Sequence, residues 1–236
     1  MDVVGRDKGT WATSGAATDV RMLAGEGSAH LEVMRSHFYG VARPLDDVSS
    51  LAAFVAELRG RYPKARHVVH AWTGPPGSGF SRSSDDGEPH GTGGLPCLGV
   101  LQRAGLEGSA VAVVRIFGGT LLGAANLGRT YGRVAQEAVA AAGVRVLSPV
   151  MTVAVRVPIA FLGRMEALLG ELQGEDVEIR YEVADPVNGT GVLGVLTASL
   201  PVGAEEALQK EASERTQGQA EIVRIGRVHY AGSPTP

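Results

Sequence analysis

A single cysteine, Cys97, in 236 residues leaves no intrachain disulfide framework and no cysteine-only metal site, and it suits a reducing compartment. Aromatic side chains are scarce at 5%, too few for a broad base-stacking surface, and Phe38, Tyr39, Phe80, Phe117 and Tyr131 mostly fall within apolar patterns that suit core packing. No apolar run approaches the roughly 18 residues of a membrane span, and no basic amino-terminal segment precedes a signal-like apolar stretch. A cytoplasmic protein without a membrane partner is expected. Charge of one sign is lacking too. The first 148 residues carry 15 basic and 13 acidic side chains and the remainder 7 and 12, so neither half is a polycation that would coat itself with nucleic acid. The sequence also lacks the Gly-Lys-Ser/Thr ending of a P-loop, a GxGxxG placed between a strand and a helix as in a dinucleotide site, an internal repeat and a recognisable nucleophile-base-orienter order. Nothing calls for a cofactor.

What is present is apolar residue content of 44%, charged content of 20% and 33 glycines, which describes a globular chain with many bends or close backbone approaches, and its order of elements makes it α+β. Residues 1–28 have no sustained period and read as a flexible amino-terminal arm. From Ala29 to Ala42 a strand is expected, bent at Arg35-Ser36-His37. Asp46-Asp47 precede Leu51, Phe54, Val55 and Leu58 at helical spacing, with a stop at Gly60. Residues 66–73 read as a buried strand closed by Gly74-Pro75-Pro76-Gly77, and Pro96 suits the first turn of a short helix. Ser109–Phe117 is nearly all apolar, as a central strand should be. Leu127, Tyr131, Val134, Ala135 and Ala138 then recur at helical spacing, with Asn126 as the expected cap and Gly143 as the stop.

After Ser148-Pro149 the pattern becomes strand 150–157, helix 159–172, strands 176–184 and 191–199, helix 203–216 and strand 220–230. Two helices on one face of a four-stranded sheet make this βαββαβ order ferredoxin-like. The expected organisation is therefore an arm over 1–28, a first domain over 29–148, a ferredoxin-like domain over 149–230 and a tail over 231–236.

Two polar constellations interrupt the first domain. In Ser84-Asp85-Asp86-Gly87-Glu88-Pro89-His90-Gly91-Thr92 a turn at Gly87 can converge Asp85, Asp86 and Glu88 to hold a divalent cation, activate water or cap backbone amides. A folded loop can bring His37, His67 or His90 toward them to shuttle a proton; His70, three residues beyond His67 on a strand, faces the other way. Ser84, Gly87, Gly91 and Thr92 are read as organising the loop. The second constellation runs from Arg115 through Gly118, Gly119, Thr120 and Asn126 to Arg129 and Arg133. Its glycines let an anion approach the backbone, Thr120 can donate a hydrogen bond, and the arginines supply charge for a phosphate or an RNA backbone. Arg129 and Arg133 lie one helical turn apart. Cys97, after an apolar Leu-Pro pair, reads as a core side chain.

Taken together, Arg35-Ser36-His37-Phe38, His67, Ser84-Asp85-Asp86-Gly87-Glu88-Pro89 with Gly91-Thr92, Arg115-Ile116-Phe117-Gly118-Gly119 and Leu127-Gly128-Arg129-Thr130-Tyr131-Gly132 resemble the IMPACT/YigZ family, bacterial two-domain type. The resemblance covers roughly residues 30–145. It implies a first domain of the α/β sandwich superfamily seen in a small-subunit ribosomal protein and GHMP-type kinases, and a second domain similar to the last domain of elongation factor G. It departs from the usual pattern at Ala125-Asn126, where a Gly-Gly pair is common, at Leu95, where a basic residue is common, and at His90, where a small one is common. The implied function is that of a translation-associated binding or regulatory protein, more a binder than an enzyme, with RNA, the ribosome, a translation-related protein or a phosphate-containing ligand as partner. A metal-assisted phosphate-handling hydrolase or transferase and a non-catalytic scaffold remain the alternatives.

Overall fold

The computed structural model describes residues 18–45, 47–185 and 190–230. They form two compact units, the first Val20–Leu147 and the second from Ser148 onward. The region expected to be an arm is therefore part of the first unit from residue 20. There β1 (Val20–Leu23) and β2 (Gly27–Val33) are ordered strands, with Val20, Met22 and Leu23 buried. Residues 1–17, the tail 231–236 and Asp46 lie outside the described residues.

The stretch expected to be one bent strand is two, β2 and β3 (Ser36–Pro44), paired from Val33↔Ser36 to Gly27↔Ala42. Met34 and Arg35 make the two-residue turn with φ of 48° and 65°, the left-handed pair that matches the twist of a tight hairpin. Helix α1 (Val48–Arg61) starts where Asp47 accepts from the Ser50 N–H at 2.9 Å and from the hydroxyls of Ser49 and Ser50, and it runs past Gly60 by one residue. Then follow β4 (His67–Thr73), β5 (Ser81–Ser84), α2 (Gly94–Arg103), β6 (Ser109–Ile116), α3 (Ala124–Ala142) and β7 (Val144–Leu147).

The five strands align in the order β2-β3-β6-β4-β5, every neighbour antiparallel, while β7 pairs with β1 as a separate ribbon. Strand β6 lies at the centre and seven of its eight residues are buried, as its unbroken apolar sequence requires. Alternation along the strands sends Phe38, Val69, Val111 and Val113 to the face covered by α2 and α3, and Val41, Val68, Trp72 and Val114 to the face covered by α1. The result is three layers, helix on sheet on helix. Cys97 is fully buried, and burial pushes its thiol up to about 12, which leaves it a protonated core side chain.

The second unit contains β8 (Pro149–Pro158), a single 3₁₀ turn (Ile159–Phe161), α4 (Leu162–Glu171), β9 (Glu175–Asp185), β10 (Thr190–Pro201), α5 (Glu205–Thr216) and β11 (Glu221–Tyr230). Its sheet order is β11-β8-β10-β9, again antiparallel throughout. Every second residue of β8 points into a core with Met165, Leu168, Leu169, Leu208 and Ala212 from the two helices. Among the described residues no helix is long and apolar enough to cross a membrane.

Glycine positions divide sharply by what surrounds them. At Gly27 a Cβ would lie 2.1 Å from the Ala142 nitrogen and 2.5 Å from the Ala138 oxygen, so β2 touches the backbone of α3. At Gly60 a Cβ meets nothing within 4 Å. Gly27→Ala is expected to destabilise the first unit by about 3 kcal/mol or more through overpacking. Gly60→Ala, in an open helical position, is expected to stabilise it by about 0.5–1 kcal/mol. Urea unfolding followed by tryptophan fluorescence measures both, and equal effects at the two sites would contradict the packing described.

Candidate functional site

Cross-strand register brings the two polar constellations to one end of the first sheet. Phe38 is paired with Arg115, and Arg115 with His67, so the start of β3, the end of β6 and the start of β4 lie side by side. The residue order of β6 makes Arg115 the one charged side chain in an apolar strand, and it is buried with 6% exposure. Its Nη1 donates to Glu88 Oε1 at 2.7 Å, and the Tyr131 hydroxyl donates to the same oxygen at 2.7 Å. The guanidinium also lies 5.6 Å from the Phe38 ring centre and 5.4 Å from that of Phe117. Burial, together with the adjacent Glu88 carboxylate, drives the Tyr131 phenol far above its ordinary pKa, so it stays a donor. Glu88 thus ties the acidic loop to β6 and to the second turn of α3.

The other carboxylates turn elsewhere. Asp85 Oδ1 accepts from the N–H groups of Gly93 and Gly94 at 2.9 and 2.8 Å, and Oδ2 accepts from Gly91 at 2.8 Å. This side chain therefore caps α2 from nine residues upstream, a role its own N-cap residue Gly93 cannot fill. Burial opposes the Asp85 charge, but the N–H donors of Gly91, Gly94 and Gly93, with His90 nearby, outweigh it and hold the carboxyl below its usual range. Asp86 accepts from Arg59 at 2.6 Å and from the Val68 N–H at 2.5 Å. Its backbone oxygen lies 2.7 Å from His67 Nδ1. A carbonyl can only accept, so that nitrogen carries the proton and a neutral His67 leaves Nε2 bare.

The expected convergence of Asp85, Asp86 and Glu88 is thereby corrected. Each carboxylate is committed to a different part of the fold because the turn through Asp86 and Gly87, both at positive φ and closed by the Glu88 N–H on the Asp85 carbonyl, splays them. Among the described residues no group of three or more His, Cys, Asp or Glu side chains is placed to hold a metal ion. His90 is fully exposed, 3.7 Å from Asp85. Ser84 accepts from the Asp86 N–H, Thr92 donates to the Pro89 carbonyl, and Gly87 and Gly91 take left-handed backbone, so all four shape the loop from within.

The glycine-rich segment behaves differently. At Gly118 a Cβ would sit 2.0 Å from the Arg35 carbonyl carbon, which wedges the hairpin tip against this loop. The Gly118 N–H donates to Ser36 Oγ at 3.1 Å, and Arg35 Nη2 donates to Thr120 Oγ1 at 3.1 Å. Gly119 faces open space. Helix α3 begins at Gly123 rather than at Asn126, whose amide instead donates back to the Leu122 carbonyl. No side chain caps this terminus and no acidic residue lies in its first turn. Arg129 is exposed and donates to Asn126 at 2.8 Å, whereas Arg133 is paired with Glu137 at 2.9 Å. Of the three arginines expected at an anion surface, Arg115 is buried on Glu88, Arg133 is exposed but paired with Glu137, and Arg129 is exposed with no carboxylate partner among the described residues. Arg35 joins it, and Phe117 and Leu121 are exposed beside them, Leu121 at 84%. The bond from Tyr131 to Glu88 was hidden by helical spacing, which any core residue would share.

Residues 34–139, which contain every residue just described, match the family model of the Impact N-terminal domain. An IMPACT family member in the pol 5′ region of Thermus thermophilus is 38% identical over 165 residues, covering 67% of this chain and 89% of that one. The chain belongs to the IMPACT family. The IMPACT family member YigZ of Escherichia coli (strain K12) is 29% identical over 196 residues, with 82% and 92% coverage. A solved structure described as that of an hypothetical protein is similar over 89% of this chain and 98% of its own, with 27% identity and a TM-score of 0.61. The IMPACT likeness therefore extends beyond the first unit.

Removing one partner of the Glu88–Arg115 pair leaves a buried charge uncompensated. Glu88→Gln is expected to cost about 3–5 kcal/mol, against roughly 1 kcal/mol for Tyr131→Phe, in urea titrations of the same chain. Asp85 gives a pH signature. Because its folded pKa is depressed, its contribution to stability is present above about pH 4 and lost as pH falls through the folded value. Asp85→Asn should lower stability at pH 7 by about 1–3 kcal/mol and flatten this acid limb, which thermal melts between about pH 2 and 7 would read.

Proposed function

We propose that the protein is a non-catalytic RNA-binding module, cytoplasmic and associated with translation, that seats an RNA backbone on the β6–α3 loop. The observation that carries this reading is a contrast between the two helix starts. The α2 terminus is filled by Asp85, while the α3 terminus is uncapped and flanked by Arg35, Thr120 and Arg129, with no carboxylate paired to either arginine among the described residues. Backbone amides and guanidinium groups of this kind suit phosphate oxygens, and exposed Phe117 offers a ring for a base. The second unit's sheet order supports the ferredoxin-like arrangement expected of it, and the first unit's helix-covered antiparallel sheet is in keeping with the ribosomal-protein and GHMP-kinase superfamily.

A phosphate-handling hydrolase or transferase is the second reading. It is favoured by His67, whose tether at Nδ1 presents Nε2 as a base on the strand register next to Arg115. Release of inorganic phosphate from nucleotides that vanishes in His67→Ala would support it. Against it stands the internal commitment of all three carboxylates.

The binding reading is tested by fluorescence anisotropy with a labelled single-stranded oligoribonucleotide across a salt series. Arg35→Ala combined with Arg129→Ala should weaken binding about tenfold or more and reduce the slope of log affinity against log salt by about 1–2. An affinity and slope equal to those of the unaltered chain would overturn it.

A further inference from the structure

The sheet of the second unit ends on β9, whose outer edge is joined to no other strand among the described residues. An edge of this length presents unpaired N–H and C=O groups, a template for another strand, and proteins ordinarily blunt it with lysines, prolines or inward-facing charges. Strand β9 has none of these between Val177 and Tyr181. On one face stand Val177, Ile179 and Tyr181, with Tyr181 62% exposed. On the other stand Glu178 and Arg180, 67% and 78% exposed, paired among the described residues with each other at 3.2 Å. Glu182 is already engaged by Arg156 at 2.7 Å.

We propose that β9 pairs antiparallel with β9 of a second copy of this chain about a twofold axis at Ile179, fusing two sheets into one. That register sets Glu178 of each copy opposite Arg180 of the other, giving two opposite-charge pairs, and sets Val177 against Tyr181 twice on the apolar face. Charge complementarity selects it. Centring on Arg180 would place Glu178 opposite Glu182 in both directions, and centring on Tyr181 would draw Glu182 from Arg156. The left-handed backbone of Asp176, with φ of 54°, and the break in register there end the regular run and confine the pairing to residues 177–181, which keeps Asp176 from lining up against Glu182 of the other copy. An interface this short falls below the roughly 1,000 Å² of stable complexes, so the association is weak and concentration-dependent.

Sedimentation equilibrium of the full chain up to about 1 mM tests it. The unaltered chain should dimerise, and Arg180→Glu and Glu178→Arg should each weaken dimerisation about tenfold or more by setting like charges opposite one another. Both positions are exposed, so unchanged thermal melts keep the comparison clean. Mixing the two variants should restore association as a heterodimer, because each chain then offers the charges that the other lacks. A chain monomeric over the whole range, a dimer indifferent to Arg180→Glu, or a mixture as weak as its components would overturn the proposal.

Discussion

One carboxylate oxygen holds the first unit's polar end together. Glu88 Oε1 receives both the Arg115 guanidinium and the Tyr131 hydroxyl in a buried setting, and each of the three residues comes from a different element. Isolated, each would be expensive to bury: an arginine in a central strand, a glutamate under a helix and a phenol facing the core. Combined, they convert a liability into a specific junction, because Glu88 receives both donors only when β6 and helix α3 are in place against the loop after β5, while Arg115 Nε stays buried without a partner among the described residues. Buried ion pairs of this sort are weak contributors to net stability against an apolar replacement, and their stronger effect is on uniqueness of arrangement.

That junction also decides which chemistry faces outward. With Glu88 drawn inward, Asp85 spent on the α2 amides and Asp86 on Arg59 and β4, the acidic motif becomes scaffolding, and the accessible electrostatics pass to the arginines of the neighbouring loop. A motif rich in carboxylates thus serves a surface whose free charges are positive. Its family likeness and its geometry meet here, since the matched region spans both the scaffold and the loop it supports.

Much of this was readable from residue order, and the parts that were not have identifiable causes. Strand β6, helices α1 and α3 and the βαββαβ order of the second unit announce themselves by long, regular apolar patterns. The hairpin turn at Met34-Arg35 escaped because neither residue is the glycine or asparagine that usually marks left-handed backbone. Strands β1 and β7 are four residues each, too short to show a period and stabilised by tertiary pairing. Asn126 is a good cap by type, yet the Gly123 backbone starts the helix three residues earlier. In the polar end, residue types singled out two loops but could not give direction: whether a carboxylate caps an amide or faces solvent is set by the backbone that carries it.

The tether between His67 and the Asp86 carbonyl has a consequence for how the loop withstands acid. Imidazole and imidazolium alike can donate from Nδ1 to a carbonyl, so gaining a proton at Nε2 does not release this anchor. The carboxylate anchors on either side do lose their acceptor strength when protonated. The Asp85 anchor, whose carboxyl is held below its usual range by the N–H groups of Gly91, Gly94 and Gly93, also outlasts mild acidification, so the loop keeps both attachments until strong acid protonates that carboxyl.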